Sequence, residues 1–273
     1  MDIKEIITKN ADKVEEALKG YLSLEDSQYG VLYDAMRYSV LDGGKRIRPL
    51  LTLEFCRMYG GDDESALPFA CAIEMIHAYS LVHDDMPCMD NDDYRRGKLT
   101  CHKKFGETNA LLCGDSLLTY AFEVASSNEH VSEKGRVMAV RALAEYAGHA
   151  GMIGGQQLDL LGESEKFDFD TLLRMNAMKT GCLIKCACLL GCIAAGHYDF
   201  SDAETYAKNI GLTFQIIDDL LDEGTEDEKT TFLTFMSHDE AYNYAAELTN
   251  EAVASIESEP LKAFAKYLLE RRI

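Results

Sequence analysis

The sequence predicts an all-α protein, a single-domain bundle of long helices over residues 1–273 around a central cavity. Three observations carry this. Apolar residues recur at helical spacing along most of the chain, and sustained strand-like alternation is missing. No Pro/Ser/Gly-rich linker interrupts the 273 residues, which hold only 4 prolines. Two aspartate clusters more than a hundred residues apart each end an apolar helical stretch, and a bundle can bring such stretches face to face.

The predicted helices run over 31–41, 48–59, 64–83, 110–126, 132–161, 170–195, 202–222, 238–258 and 261–271. Pro49 suits the first turn of the second, because its missing N–H has no intrahelical partner there. The fifth is interruptible near Gly148–Gly155. Ser201 with Glu204 and Ser237 with Glu240 fit a capping box, in which each side chain satisfies the other's backbone donor. No repeat period or low-complexity tract is present.

An apolar share of 47% suffices for a sizeable core. A net charge of −20 argues against nucleic acid, whose binders concentrate positive charge, and against attachment to anionic lipid. The N-terminus, Met1-Asp2-Ile3-Lys4-Glu5, is charged and has no signal-peptide core. The longest apolar run, 181–196, carries Lys185 and falls short of the ~20 residues of a membrane span. Of the nine cysteines, Cys182, Cys186, Cys188 and Cys192 share one apolar helix without a Cys-x-x-Cys pair, so they read as reduced core residues. The expectation is a soluble cytoplasmic protein without membrane insertion.

The first aspartate cluster is His83-Asp84-Asp85-Met86-Pro87-Cys88-Met89-Asp90, followed by Tyr94-Arg95-Arg96-Gly97. The second is Phe214-Gln215-Ile216-Ile217-Asp218-Asp219-Leu220-Leu221-Asp222. Carboxylates this close repel one another and raise each other's pKa unless cations hold them. Magnesium is commonly held by one or two carboxylates plus substrate oxygens, so adjacent arginines point to a metal–diphosphate site. Asp218 and Asp222 lie at i, i+4, on one helical face. Glu226-Asp227-Glu228, by contrast, reads as a solvated acidic run. In Gly43-Gly44-Lys45-Arg46-Ile47-Arg48-Pro49, two glycines allow close approach to an anion. Lys45 and Arg48 can grip a diphosphate, beside a helix N-terminus that adds positive dipole.

With these segments together, the chain resembles the short-chain trans-prenyl diphosphate synthases, in particular the bacterial farnesyl type. The resemblance extends from about residue 30 to the C-terminus. It rests further on Ile76-His77-Ala78-Tyr79-Ser80-Leu81-Val82-His83-Asp84-Asp85, Cys101-His102-Lys103-Lys104-Phe105-Gly106-Glu107, Gly154-Gly155-Gln156, Lys179-Thr180-Gly181 and Gly211-Leu212-Thr213-Phe214-Gln215. It implies the isoprenoid synthase fold, a homodimer, three magnesium ions per active site, and head-to-tail joining of an allylic diphosphate to isopentenyl diphosphate.

The resemblance also implies residue roles. Asp84 and Asp90, with Asp85 in support, would hold metal at the first cluster; Asp218, with Asp222 and Asp219, would do so at the second. Arg95, Lys179 and Lys229 would grip the allylic diphosphate. Gly44, Lys45, Arg48, His77 and Arg96 would bind isopentenyl diphosphate. Thr180 and Gln215 would present oxygens to the developing carbocation. Tyr79, five positions before Asp84, and Ser80, four before, would set product length. A bulky ring at the fifth position, with the two extra residues inside Asp84–Asp90, implies a fifteen-carbon product, with twenty carbons as the runner-up. His83 and His102 read as structural.

The chain departs from the family pattern after Asp222. Only Glu223-Gly224-Thr225-Glu226-Asp227-Glu228 precedes Lys229-Thr230-Thr231, where the family carries a longer loop with Gly-Lys and a further Gly-x-Asp. Either the loop is short or a stretch is missing from the sequence, so the role of Lys229 is the weakest carry-over. A terpene cyclase would have no use for the second, basic pocket. A non-catalytic subunit of a heteromeric synthase can lose its aspartates, whereas both clusters are intact here.

Overall fold

The computed structural model describes residues 2–23, 28–41, 43–222 and 230–271. Among these, helices dominate, as the periodicity predicts. α1 (Ile3–Tyr21) opens on Asp2, whose side chain accepts the Lys4 N–H at 2.9 Å. The sequence reading assigned no helix here. The buried stripe of α1 is only Asn10, Val14 and Leu18. Polar pairs complete its attachment: Asn10 Nδ2 donates to Glu54 Oε1 at 3.0 Å, and Arg46 Nη2 to Glu15 Oε2 at 2.6 Å. Ile3, Ile6, Ile7, Ala17 and Tyr21, partly buried, pack against the core beside Val14 and Leu18, so the helical apolar period was present in the sequence and the reading overlooked it.

α2 (Gly30–Val40) and α3 (Ile47–Met58) flank the basic loop, and α4 (Asp63–Asp84) runs through the middle of the molecule. Asp62 caps α4 by accepting the Ser65 N–H at 2.8 Å. Most of α4 is buried on every side, which explains an apolar sequence with no polar face. A hairpin of β1 (Tyr94–Arg95) and β2 (Lys98–Leu99) turns through Arg96 and Gly97, both at positive φ (53° and 76°). α5 (Cys101–Phe105) and α6 (Glu107–Ser126) follow, and α6 makes the most extensive helix pair with α4.

The segment 132–161 does break, into α7 (Glu133–Ala147) and α8 (Met152–Gly162). α9 (Phe169–Asn176), a π-helical turn (Ala177–Gly181) and α10 (Cys182–Ala194) form one continuous rod, packed on α3. α4 and this rod are long and apolar enough to cross a membrane by length and composition, but 78% and 61% of their apolar windows are buried within the protein. Cys186, Cys188 and Cys192 are free, buried thiols of α10.

α11 (Ser201–Leu221) carries the second aspartate cluster at its C-terminal end, a 3₁₀ turn (Phe232–Thr234) follows, and α12 (His238–Ala254) and α13 (Glu259–Leu269) complete the chain. The Ser237–Glu240 capping box forms. The expected Ser201–Glu204 box does not: α11 starts after Phe200, and Ser201 Oγ instead bonds Asp199 Oδ1 at 2.8 Å. Asp199 bonds both the hydroxyl and the backbone N–H of Ser201, which leaves the serine inside the helix rather than at its cap. A main core centres on α3, α4, α6 and α10, and a second cluster (Leu172, Met175, Ile216, Ile217, Phe232, Ala241, Ala245, Leu248) supports α9, α11 and α12.

Candidate active site

A cavity of about 1210 Å³ opens where α3, α4, α8, the π turn and α11 converge. Its chemistry changes from side to side. The basic side comes from the loop before α3. Gly44 has φ +87°, a conformation that favours glycine, and its missing Cβ leaves room for the Arg96 guanidinium of the hairpin, which a Cβ would meet at 2.8 Å. Thus Lys45, Arg48, His77 and Arg96, separate in sequence, line one wall.

The two arginines of the loop have different roles. Arg46, at a left-handed φ of 48°, is 4% exposed and is neutralised internally by Glu74 at 2.7 Å and Glu15 at 2.6 Å, with a further bond to Val40 O at 2.5 Å. Arg48 faces the cavity, and its buried Nε has no partner among the described residues. Burial, with Arg96 nearby, pulls the Arg48 pKa down, and burial does the same for Arg96. Guanidiniums short of counter-charge favour an incoming anion. His77 lies among Arg48, Arg96, Arg46 and Arg95; burial first, and then these charges, hold its pKa well below 6.5, so the ring is neutral and can donate one N–H.

The acidic side has two parts. At the end of α4, Asp84 Oδ1 accepts from Gln156 Nε2 at 2.6 Å. Asp85, 3% exposed, accepts from Arg95 Nε at 2.6 Å. Asp90 is exposed, and its N–H returns to Asp84 O at 2.9 Å. Burial raises the pKa of both inner carboxyls; Lys179 opposes this at Asp84, and Arg95 at Asp85. The three carboxylates stand at the rim, since Leu81 and Arg95, not they, line the cavity itself. Across from them, Phe214, Gln215, Asp218, Asp219 and Asp222 of α11 and its cap do line it. Asp218 is ion-paired with Arg271, whose guanidinium stacks 4.7 Å from the Phe214 ring centroid. Asp219 Oδ2 accepts the Phe232 N–H at 2.8 Å and anchors the 3₁₀ turn, so this oxygen is already engaged.

Between the two sides, the π turn presents consecutive residues, Lys179 and Thr180, to the cavity. π turns occur mostly as single-turn bulges within α-helices and are frequent at functional sites. Thr180 Oγ1 donates to Gln215 Oε1 at 2.5 Å, and Lys179 Nζ meets Asp159 Oδ2 at 2.5 Å. A Cβ on Gly155 would lie 2.1 Å from Lys179 N, which gives the Gly-Gly-Gln segment its reason: α8 packs directly on the backbone of the π turn.

The sequence-predicted residues therefore gather around one cavity, with Asp84, Asp85 and Asp90 beside it rather than in its lining, and three stand apart. Tyr79 and Ser80 do not line it. Tyr79 is 5% exposed, packs edge-on to His83 at 5.9 Å and has a buried hydroxyl with no partner among the described residues, whereas Ser80 Oγ donates to His77 O at 2.9 Å. Lys229 lies outside the described residues. Sequence reasoning missed Glu74, Asp159 and Arg271. Asp159 had a visible signal, three residues after Gln156 on the same face of α8; Arg271 reaches Asp218 only through tertiary packing.

Among the described residues, no three His, Cys, Asp or Glu side chains converge as a ready metal cage. The donor set nonetheless fits magnesium, a hard cation that needs few protein oxygens when substrate oxygens complete its shell.

A helical bundle with carboxylates facing arginines and lysines across one large cavity defines a diphosphate-handling protein. Comparison with known proteins gives the family. The polyprenyl synthetase family model matches residues 30–232. The chloroplastic geranylgeranyl pyrophosphate synthase of Capsicum annuum is 39% identical over 99% of this chain and 79% of its own length. The farnesyl diphosphate synthase of Escherichia coli K12 is 36% identical over 99% of both chains, in an alignment of 297 positions, so it carries residues that these 273 lack. The apo crystal structure of an FPP/GFPP synthase from Zymomonas mobilis superposes with a TM-score of 0.92, at 39% identity over 98% of both chains. The chain belongs to the polyprenyl synthetase family, the trans-prenyl synthases that use allylic and isopentenyl diphosphates, and it has the isoprenoid synthase fold.

Proposed function

We propose that the chain condenses geranyl diphosphate with isopentenyl diphosphate, head to tail, to give farnesyl diphosphate. The observation that carries this reading is the division of one cavity into an acidic and a basic side. Arg95, Lys179 and, from the sequence, Lys229 hold the allylic diphosphate. Lys45, Arg48 and Arg96 hold isopentenyl diphosphate, with Gly44 leaving room for its approach and His77 donating its single N–H. Asp84, Asp85, Asp90, Asp218, Asp219 and Asp222 would hold the magnesium ions, three per site on this reading. Bound magnesium would stabilise the charge developing on the departing diphosphate.

The allylic carbon–oxygen bond breaks with its electron pair going to the diphosphate. The isopentenyl double bond then attacks the allylic carbon, a carbon–carbon bond forms, and a proton leaves to the released diphosphate. Thr180 and Gln215 turn oxygens toward the developing cation, while Leu81, Leu172, Met175, Phe214 and Leu233 give an apolar lining that limits water. The protein thus acts by position and preorganised charge.

The fifteen-carbon reading rests on Tyr79, a bulky buried ring five positions before Asp84 on α4. Twenty carbons is the second reading. It is favoured by the absence of Tyr79 and Ser80 from the cavity lining and by relatives named as geranylgeranyl synthases. A homodimer is part of the proposal, since Leu111, Leu112 and Val137 remain exposed on α6 and α7, as is a cytoplasmic location without membrane insertion. The test is incubation of the purified protein with both substrates and magnesium, with chromatography of the dephosphorylated products. Farnesol is expected, and it should disappear with chelator. Diphosphate release that does not require isopentenyl diphosphate would contradict the reading.

A further inference from the structure

Lys179 is not free in the cavity. Its ammonium meets Asp159 Oδ2 at 2.5 Å, and the two side chains are 31% and 18% exposed, at the cavity wall rather than at the outer surface. Asp159 lies three residues after Gln156 on α8, so the two share a face. Gln156 points to Asp84 and Asp159 to Lys179. The same helix is seated, through Gly155, on the backbone of Lys179 itself. α8 thus fixes both where Lys179 leaves the main chain and where its ammonium ends.

A lysine has a flexible four-carbon stem, and fixing one costs rotamer entropy unless a partner does so beforehand. We infer that Asp159 is a positioning residue, which aims the Lys179 ammonium at the allylic diphosphate without itself touching substrate. A carboxylate that merely neutralised Lys179 would weaken anion binding, so its removal would tighten it. A carboxylate that aims Lys179 makes the opposite prediction. The inference rests on the reading of Lys179 as an allylic diphosphate ligand, and the experiment separates the two.

Asp159→Asn keeps the shape and removes the charge. It is expected to raise KM for geranyl diphosphate about tenfold, the scale of one charge-assisted hydrogen bond, and to leave KM for isopentenyl diphosphate within about twofold. Asp159→Glu should restore most of the loss. Calorimetric binding of a thio-bridged geranyl diphosphate analogue, which does not turn over, should weaken in parallel. In a Lys179→Ala background, Asp159→Asn should have no further effect on either quantity, because the only route for Asp159 is then gone. An Asp159→Asn penalty that persists in Lys179→Ala, equal rises in both KM values, or tighter analogue binding would overturn the inference. So would loss of folding in both Asp159→Asn and Asp159→Ala, which would make Asp159 a support of the bundle. If Lys179→Ala alone leaves geranyl diphosphate binding unchanged, the assignment of Lys179 fails instead.

Discussion

His77 shows how a single residue reads differently in sequence and in space. In the sequence it is a histidine on an apolar helix, a type that usually belongs to a core, and only the family pattern lifts it to a ligand. In the fold it faces Arg48 and Arg96 inside an arginine-rich wall, with Glu74 one turn before it as the counter-charge of Arg46. Its pKa lies well below 6.5 in the folded chain, whereas the unfolded chain titrates normally. As pH falls below about 6.5, the unfolded chain binds a proton that the folded chain does not, so the stabilisation present above that value is progressively lost. The denaturation midpoint of the ligand-free protein, followed from pH 8 to pH 5, should therefore fall more steeply than that of His77→Gln. Parallel curves would show that His77 does not carry this dependence.

Elements were legible to the extent that their stabilisation is local. The long apolar runs leading into Asp84 and Asp218 gave α4 and α11, and the Ser237–Glu240 box formed. Where a competing neighbour intervened, as Asp199 does at Ser201, the same signature misled. α1 was legible but overlooked, since Ile3, Ile6, Ile7, Val14 and Leu18 carry a helical period; what only the fold supplies is its polar docking, Asn10 to Glu54 and Glu15 to Arg46. The π turn was also hidden, since one extra residue in a helical turn leaves no mark on apolar periodicity. The proposed control of product length belongs to this scale, because it rests on a residue of α4. Tyr79 is a buried ring of α4 packed edge-on to His83, its hydroxyl without a partner among the described residues and its pKa pushed up to about 12 by burial. Tyr79→Ala should shift products toward twenty carbons or longer, as read by chromatography of the dephosphorylated alcohols. An unchanged product profile would remove Tyr79 from the control of length.

At the scale of the whole molecule, the second aspartate cluster and the basic loop became two faces of one cavity, with the first cluster beside it. The carboxylates arrive at the C-terminal ends of α4 and α11, and the cations from the loop before α3 and from the hairpin after Asp90. The motifs were readable because charge clusters beside glycines and apolar helices are local features. Their convergence, the neutralisation of Arg46 and the reach of Arg271 to Asp218 depend on contacts between distant segments. Two chemically distinct diphosphate pockets in one cavity are the central claim, and steady-state kinetics of Arg48→Gln test it most directly. With each substrate varied in turn, KM for isopentenyl diphosphate should rise about tenfold or more, and KM for geranyl diphosphate should stay within about twofold. Equal rises for both substrates would contradict the division of the cavity and make the basic loop a general support of the fold.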